Sequence, residues 1–103
     1  MVRRGDVWWY DHPEAASRPF LILTRDAALP VLNQVLAVAC TRRKRGIPTE
    51  VALDVEDGMP GPCVASSDNI YLIRPRLCRE RITTLGPERM YQVCQALHVA
   101  VDC

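Results

Sequence analysis

Val35-Leu36-Ala37-Val38-Ala39-Cys40 is an unbroken apolar run, and Thr41, which ends it, opens the cationic stretch Arg42-Arg43-Lys44-Arg45-Gly46. A continuous apolar run of this length bounded by polar residues reads as a strand buried on both faces. Such a strand belongs in the middle of a sheet, with neighbours on either side. The flanking sequence supplies them.

Upstream, Val7-Trp8-Trp9-Tyr10 is a short aromatic run of high β-propensity, opened by Gly5-Asp6 and closed by Asp11-His12-Pro13. Phe20-Leu21-Ile22-Leu23-Thr24 is a second run, led by Arg18-Pro19. Only Pro13 to Ser17 separate the two, which predicts a β-hairpin. Arg25 to Asn33, with Pro30 inside it, reads as a connection containing a helical turn. Downstream, Thr49 to Asp54 alternates like a half-buried strand, and Gly58-Met59-Pro60-Gly61-Pro62 must be loop. Cys63-Val64-Ala65 and Ile70-Tyr71-Leu72-Ile73 read as two short strands on either side of Ser66-Ser67-Asp68-Asn69, with a further strand expected near Arg81 to Leu85. The one clear helix comes last: Gly86 caps it, Pro87 suits its first turn, and Met90, Val93, Cys94, Leu97 and Val101 form an apolar stripe. Many short strands followed by one amphipathic helix predict a mainly β fold, a small antiparallel barrel with the helix packed across it.

At 103 residues, the chain is expected to form a single domain spanning 1–103. A domain of this size buries only about two thirds of its unfolded surface, so a partner would add stability. The formal net charge of +1 argues against a generally basic nucleic-acid binder but leaves room for a local basic patch. No apolar stretch has the length of a membrane span, and Met1-Val2-Arg3-Arg4-Gly5-Asp6 is not a signal peptide, so a cytoplasmic protein without membrane association is expected. The five cysteines include no C-x-x-C pair, which predicts reduced, mostly buried thiols, Cys103 being the most exposed. The phosphate-binding, dinucleotide-binding, serine-hydrolase and zinc-protease motifs are all absent, and His12 and His98 are too few for most zinc sites. Neither metal nor cofactor is expected.

Three polar features remain, each open to an ordinary reading. Arg18 stands at the base of a tight hairpin, where most arginines are solvated edge residues. Thr41 ends the most apolar strand, where a hydroxyl often satisfies a backbone group. Arg42 to Arg45 is either a solvated loop or a footprint for phosphates.

Taken in order, these segments resemble the MazF/PemK family of toxins along nearly the whole chain. Arg4-Gly5-Asp6-Val7-Trp8-Trp9 resembles the family's R-G-[DE]-[IV]-W opening, and Arg18-Pro19-Phe20-Leu21-Ile22-Leu23 its R-P-x-L-[IV]-[IV] second strand. Val38-Ala39-Cys40-Thr41 is similar to its V-P-x-T strand end, with Ala39 where the family has proline. Val64 to Ile73 and the Gly86 to Leu97 helix follow in the right places. The resemblance implies an SH3-like, partly open barrel of the CcdB/PemK/MazF type that forms a homodimer. It also implies the toxin of a toxin–antitoxin system, a metal-independent, sequence-selective and ribosome-independent endoribonuclease acting on single-stranded RNA. The RNA's own 2′-OH attacks the adjacent phosphorus, leaving a 2′,3′-cyclic phosphate and a 5′-OH.

The positions matching the family's catalytic pair are Arg18 and Thr41. An arginine fork can hold two non-bridging oxygens as charge grows on phosphorus, although a guanidinium is a poor proton donor at neutral pH. Thr41 would add a neutral hydrogen bond to the same phosphate. Asp68 matches an acidic position that acts on the 2′-OH or orients a neighbour. Ser66, Asn69, Arg42, Arg43, Lys44 and Arg45 are expected to contact RNA. The sequence departs from the family in three places: the Pro13 to Ser17 connection is short and lacks a G-x-E-Q segment, Ser66 replaces a basic residue found in some members, and His12 replaces an aspartate before proline. Because His12 and Arg18 flank one turn, His12 is a candidate for proton transfer. A MazE-like antitoxin, whose disordered tail folds into the RNA groove, is the implied partner. Two alternatives stand beside this reading: a non-enzymatic toxin of the CcdB type that binds DNA gyrase, and a passive SH3-like RNA- or protein-binding module.

Overall fold

The structure, a computed structural model, describes residues 1–13 and 16–102. Six strands, β1 (Asp6–Tyr10), β2 (Arg18–Ile22), β3 (Val35–Thr41), β4 (Glu50–Leu53), β5 (Cys63–Ile73) and β6 (Cys78–Thr84), precede one helix, α1 (Pro87–Val101). They form a single antiparallel sheet in the order β4-β5-β3-β2-β1-β6. The sheet curls without closing, so β4 and β6 are its two edges. Side chains bridge the gap: Thr83 Oγ1 of β6 donates to the Asp57 carbonyl at 2.8 Å, and Arg89 of α1 reaches the Asp57 carboxylate at 2.9 Å. This is the mainly β fold with a C-terminal helix that the strand pattern predicts, and the partly open barrel that the family resemblance implies. No helix among the described residues is long and apolar enough to cross a membrane.

The apolar run at β3 lies between two cores, as its lack of alternation requires. Its odd residues Val35, Ala37 and Ala39 pack with Tyr10, Phe20, Ile22 and Ile73. Its even residues Val38 and Cys40 pack with Val7, Leu21 and Ala65, and with Val93 and Ala96 of α1. The opening Arg-Gly-Asp anchors the sheet to itself. Asp6 is buried and accepts from the Arg3 amide at 3.0 Å, Trp8 Nε1 at 3.1 Å and Thr84 Oγ1 at 2.7 Å. A buried carboxylate with three donors is compensated for its lost hydration.

Two expectations need correction. The segment from Cys63 to Ile73 is one strand, not two. Its register against β3 jumps between Val38↔Ile70 and Cys40↔Ala65, so Ser66 to Asn69 are extra residues opposite Ala39. The polar run that reads as a break is therefore a bulge within a strand. On the helix, Val93 and Ala96 are the buried residues, with Met90 and Leu97 packed beside them. Cys94 and Val101 are exposed. Arg4 Nη2 covers Cys94 from the surface, donating to its Sγ at 3.2 Å.

Candidate functional site

The β2–β3 ladder runs Ile22↔Ala37, Leu21↔Val38, Phe20↔Ala39. The pairing ends there, and Arg18 and Thr41 each lie two residues beyond Phe20 and Ala39, at the same end of the two strands. Arg18 itself pairs with Tyr10 of β1, and Thr41 with Val64 of β5. The two residues singled out in the sequence therefore lie at one end of the central ladder, on adjacent strands.

Each borders its own hollow. Arg18 lies at a depression of about 90 Å³ lined by His12, Ala16, Phe20 and Tyr71. Thr41 lines a second one, of about 100 Å³, with Trp9, Pro19, Arg42 and the Met59 to Cys63 segment. Arg42 continues from there into a third hollow with Lys44 and Asp54. The cations at 42–45 are all exposed, and no ion pair engages them or Arg18 among the described residues.

Local hydrogen bonds explain the loop's shape. Thr41 Oγ1 accepts from the Arg43 amide at 3.2 Å, so its own O–H remains to donate to a ligand. The Glu50 carboxylate accepts from the amides of Arg45 and Gly46, each at 3.0 Å, folding the basic loop back on β4. Burial disfavours the thiolate form at the two cysteines beside Thr41. Burial pushes both thiols up, Cys40 far beyond the ordinary range and Cys63 with help from the Asp57 charge.

The bulge holds Ser66, Asp68 and Asn69. Asp68 Oδ2 accepts from Thr49 Oγ1 at 2.6 Å, and the Ser67 amide donates to the Thr49 carbonyl at 2.9 Å, which tie the bulge to the start of β4. Ser66 is buried and its Oγ accepts from Asn69 Nδ2 at 3.3 Å, so it supports Asn69 from within and does not reach the surface itself. His12 stands in the Arg18 depression, its ring edge-on to Tyr10 at 6.3 Å. Histidine and arginine are thus neighbours across the short turn.

Sequence reasoning did not single out Tyr71, Trp9, Pro19 or the Met59 to Pro62 loop. Their place at the site depends on cross-strand register, which no local pattern announces. Among the described residues no three His, Cys, Asp or Glu side chains converge as a metal-ligand set.

Known proteins resemble this chain over nearly its full length. The chain is 39% identical over 103 residues to the probable endoribonuclease MazF2 of Mycobacterium tuberculosis, covering 99% of this chain and 100% of that one. It is 38% identical to the probable endoribonuclease MazF5 of the same organism, covering 97% and 93%. Its fold superposes with a TM-score of 0.88 on an endoribonuclease solved in complex with its cognate antitoxin from a mycobacterial species, at 27% identity and covering 99% and 96%. The Mycobacterium tuberculosis toxin MazF-mt6 gives a TM-score of 0.86 at 30% identity, covering 94% and 96%. Residues 3–101 match the family described as PemK-like, MazF-like toxin of type II toxin-antitoxin system. With that match spanning strands, bulge and helix alike, the chain belongs to the PemK-like, MazF-like toxins of type II toxin–antitoxin systems.

Proposed function

We propose that this toxin is an endoribonuclease that cleaves single-stranded RNA without a metal ion, acting as a single domain in the cytoplasm under the control of an antitoxin. The observation that supports the reading is that Arg18 and Thr41 lie at the same end of adjacent strands, beside cations that no ion pair engages among the described residues. In the proposed step the 2′-oxygen attacks phosphorus, the bond from phosphorus to the 5′-oxygen breaks, and a 2′,3′-cyclic phosphate and a 5′-OH result. The 2′-OH loses a proton and the departing 5′-oxygen gains one.

Arg18 holds the non-bridging oxygens as they gain charge, and the free O–H of Thr41 adds a hydrogen bond. His12, in the same depression as Arg18, is assigned to the proton traffic. Asp68 is committed to Thr49, so its role is to orient the bulge. Asn69, steadied by Ser66, and the Arg42 to Arg45 loop guide the strand. Duplex RNA is a poor substrate because pairing and stacking hide the Watson–Crick edges and base faces.

The toxin acts as a homodimer. Leu36 and Leu72 face each other in register and are 46% and 63% exposed, with Ile70 beside them, an apolar patch suited to a second copy. A partner antitoxin with an acidic disordered tail complements the basic loop and blocks the strand's path.

The test is incubation of the purified protein with long single-stranded RNA in excess EDTA, followed by end mapping. Discrete cuts ending in cyclic phosphate and 5′-OH support the reading. Intact RNA across many sequences overturns it and favours a toxin that acts through a protein interface.

A further inference from the structure

The depression beside Arg18 is walled by aromatic rings whose arrangement follows from the sheet. Ala37 and Ala39 of β3 lie between β2 and β5 on this face. Their small side chains let the Phe20 and Tyr71 rings meet over the strand, with centroids 5.2 Å apart and planes at 86°. Phe20 in turn packs edge-on against Tyr10 at 5.4 Å, and Tyr10 against His12 at 6.3 Å. Phe20 and Tyr10 are buried, 1% and 4% exposed, whereas Tyr71 is 38% exposed. One ring of the cluster is therefore packed against Phe20 and still presented to solvent, next to a cation that no described carboxylate neutralises. Aromatic surface alternating with cationic groups is how proteins hold unpaired nucleotides, the rings taking bases and the cations taking phosphates.

We propose that the depression formed by His12, Ala16, Arg18, Phe20 and Tyr71 is a base-binding subsite that takes one pyrimidine of single-stranded RNA against Tyr71, while Arg18 at its rim holds the adjoining phosphate. The inference rests on the reading of Arg18 above. Its preference for a pyrimidine comes from size. The depression measures about 90 Å³, whereas a closed apolar cavity of about 150 Å³ takes up a single benzene ring. With one side open, it seats a six-membered ring part-way, and the fused rings of a purine would leave more of their surface outside it. Tyr71 is thereby a specificity-determining residue, choosing which phosphodiester is delivered to Arg18.

The experiment uses a short RNA containing one mapped cut site, and variants in which each flanking nucleotide is exchanged between pyrimidine, purine and abasic ribose. The full-length wild type, Tyr71→Ala, Tyr71→Leu and Tyr71→Trp are compared by kcat and KM. Leucine keeps the apolar contact with Phe20 but removes the stacking face, so it separates binding from folding. The expected result is one flanking position where wild type prefers a pyrimidine and loses roughly tenfold or more in kcat/KM when the base is removed. Tyr71→Ala and Tyr71→Leu lose a similar factor and become indifferent at that position alone, while Tyr71→Trp keeps the discrimination. The proposal is overturned if the alanine and leucine variants retain wild-type rates and base preferences, or if wild type prefers purines at every flanking position. It is also overturned if only inhibition by antitoxin changes, because that outcome gives the depression to a peptide side chain. A wild type that cuts no RNA takes the nuclease reading and this one down together, whereas cutting with no dependence on Tyr71 removes this one alone.

Discussion

Asp11 Oδ1 accepts a hydrogen bond from Ser17 Oγ at 2.7 Å and from Arg79 Nε at 3.2 Å, so one carboxylate oxygen ties both ends of the β1–β2 connection to β6. That connection carries His12 and leads directly into Arg18. The Ser17 hydroxyl and the Arg79 guanidinium hold the Asp11 carboxyl below the usual carboxylate range. Both members of the ion pair are about half exposed, so the clamp adds little to global stability. Its contribution is to the aim of Arg18.

Asp11→Ala is therefore expected to slow RNA cleavage by roughly three- to thirtyfold, short of the ~100-fold cost of an ångström-scale misplacement. Its melting temperature should stay within about 2 °C of wild type. Because the folded carboxyl titrates low, the clamp is complete above the ordinary carboxylate range and opens only as pH falls through the lowered value. Cleavage rates between pH 5 and 8, set beside thermal melts, check this; a large loss of stability would make Asp11 a folding residue instead.

The Arg89–Asp57 pair behaves differently because it is more enclosed. It joins α1 to the turn after β4, and Asp57 is largely covered. The hydrogen bond from Arg89 holds the Asp57 carboxyl low, so its stabilisation is present above about pH 4, the ordinary carboxylate value, and is lost as pH falls through the depressed one. Arg89→Ala should destabilise the protein by about 1–2 kcal/mol at pH 7. Urea melts of both proteins should converge as the pH is taken toward 2.

Gly58 has a φ of +92°, and a Cβ built there lies 2.8 Å from the Thr83 Cβ and closer still to its hydroxyl. Thr83 cannot move away cheaply, because its hydroxyl bridges the sheet edges through the Asp57 carbonyl. Gly58→Ala combines left-handed backbone strain with overpacking and should cost roughly 2–4 kcal/mol, read from denaturant midpoints.

The Leu36–Leu72 patch supplies a test of assembly. Leu72→Glu puts a charge where the second copy is proposed to sit, and sedimentation at micromolar concentration should move from dimer to monomer. A monomeric wild type would refute the dimer without touching the cleavage chemistry.

What could be read from the residues followed from how local each signal is. The β3 run and the Pro87 to Leu97 periodicity are decided by neighbours in sequence, and both elements stand where their patterns put them. The single strand from Cys63 to Ile73 was illegible because Ser66 to Asn69 look like a turn. The pairing of Ser66 with Glu50 and the Ser67 amide bond to the Thr49 carbonyl keep the run in the sheet. Cys94 lies on the helix stripe yet is exposed, where Arg4 Nη2 donates to its Sγ. Arg18 and Thr41, the proposed pair, were named through family resemblance at strand ends. Tyr71 was not, because its neighbour Phe20 is two strands away and only the alanines of β3 let them meet. The buried position of Ser66 likewise depends on the bulge and on Asn69.

The most direct test of the account is a double-mutant cycle on Arg18 and Thr41, with single-turnover cleavage of one RNA measured in EDTA. If both side chains stabilise the same phosphate, Arg18→Ala should lower the rate by roughly 10²- to 10³-fold, Thr41→Val by less, and the double variant by little more than Arg18→Ala alone. An Arg18→Ala protein that cleaves within threefold of wild type, or two losses that simply multiply, would contradict the claim that these residues act together at the end of the β2–β3 ladder.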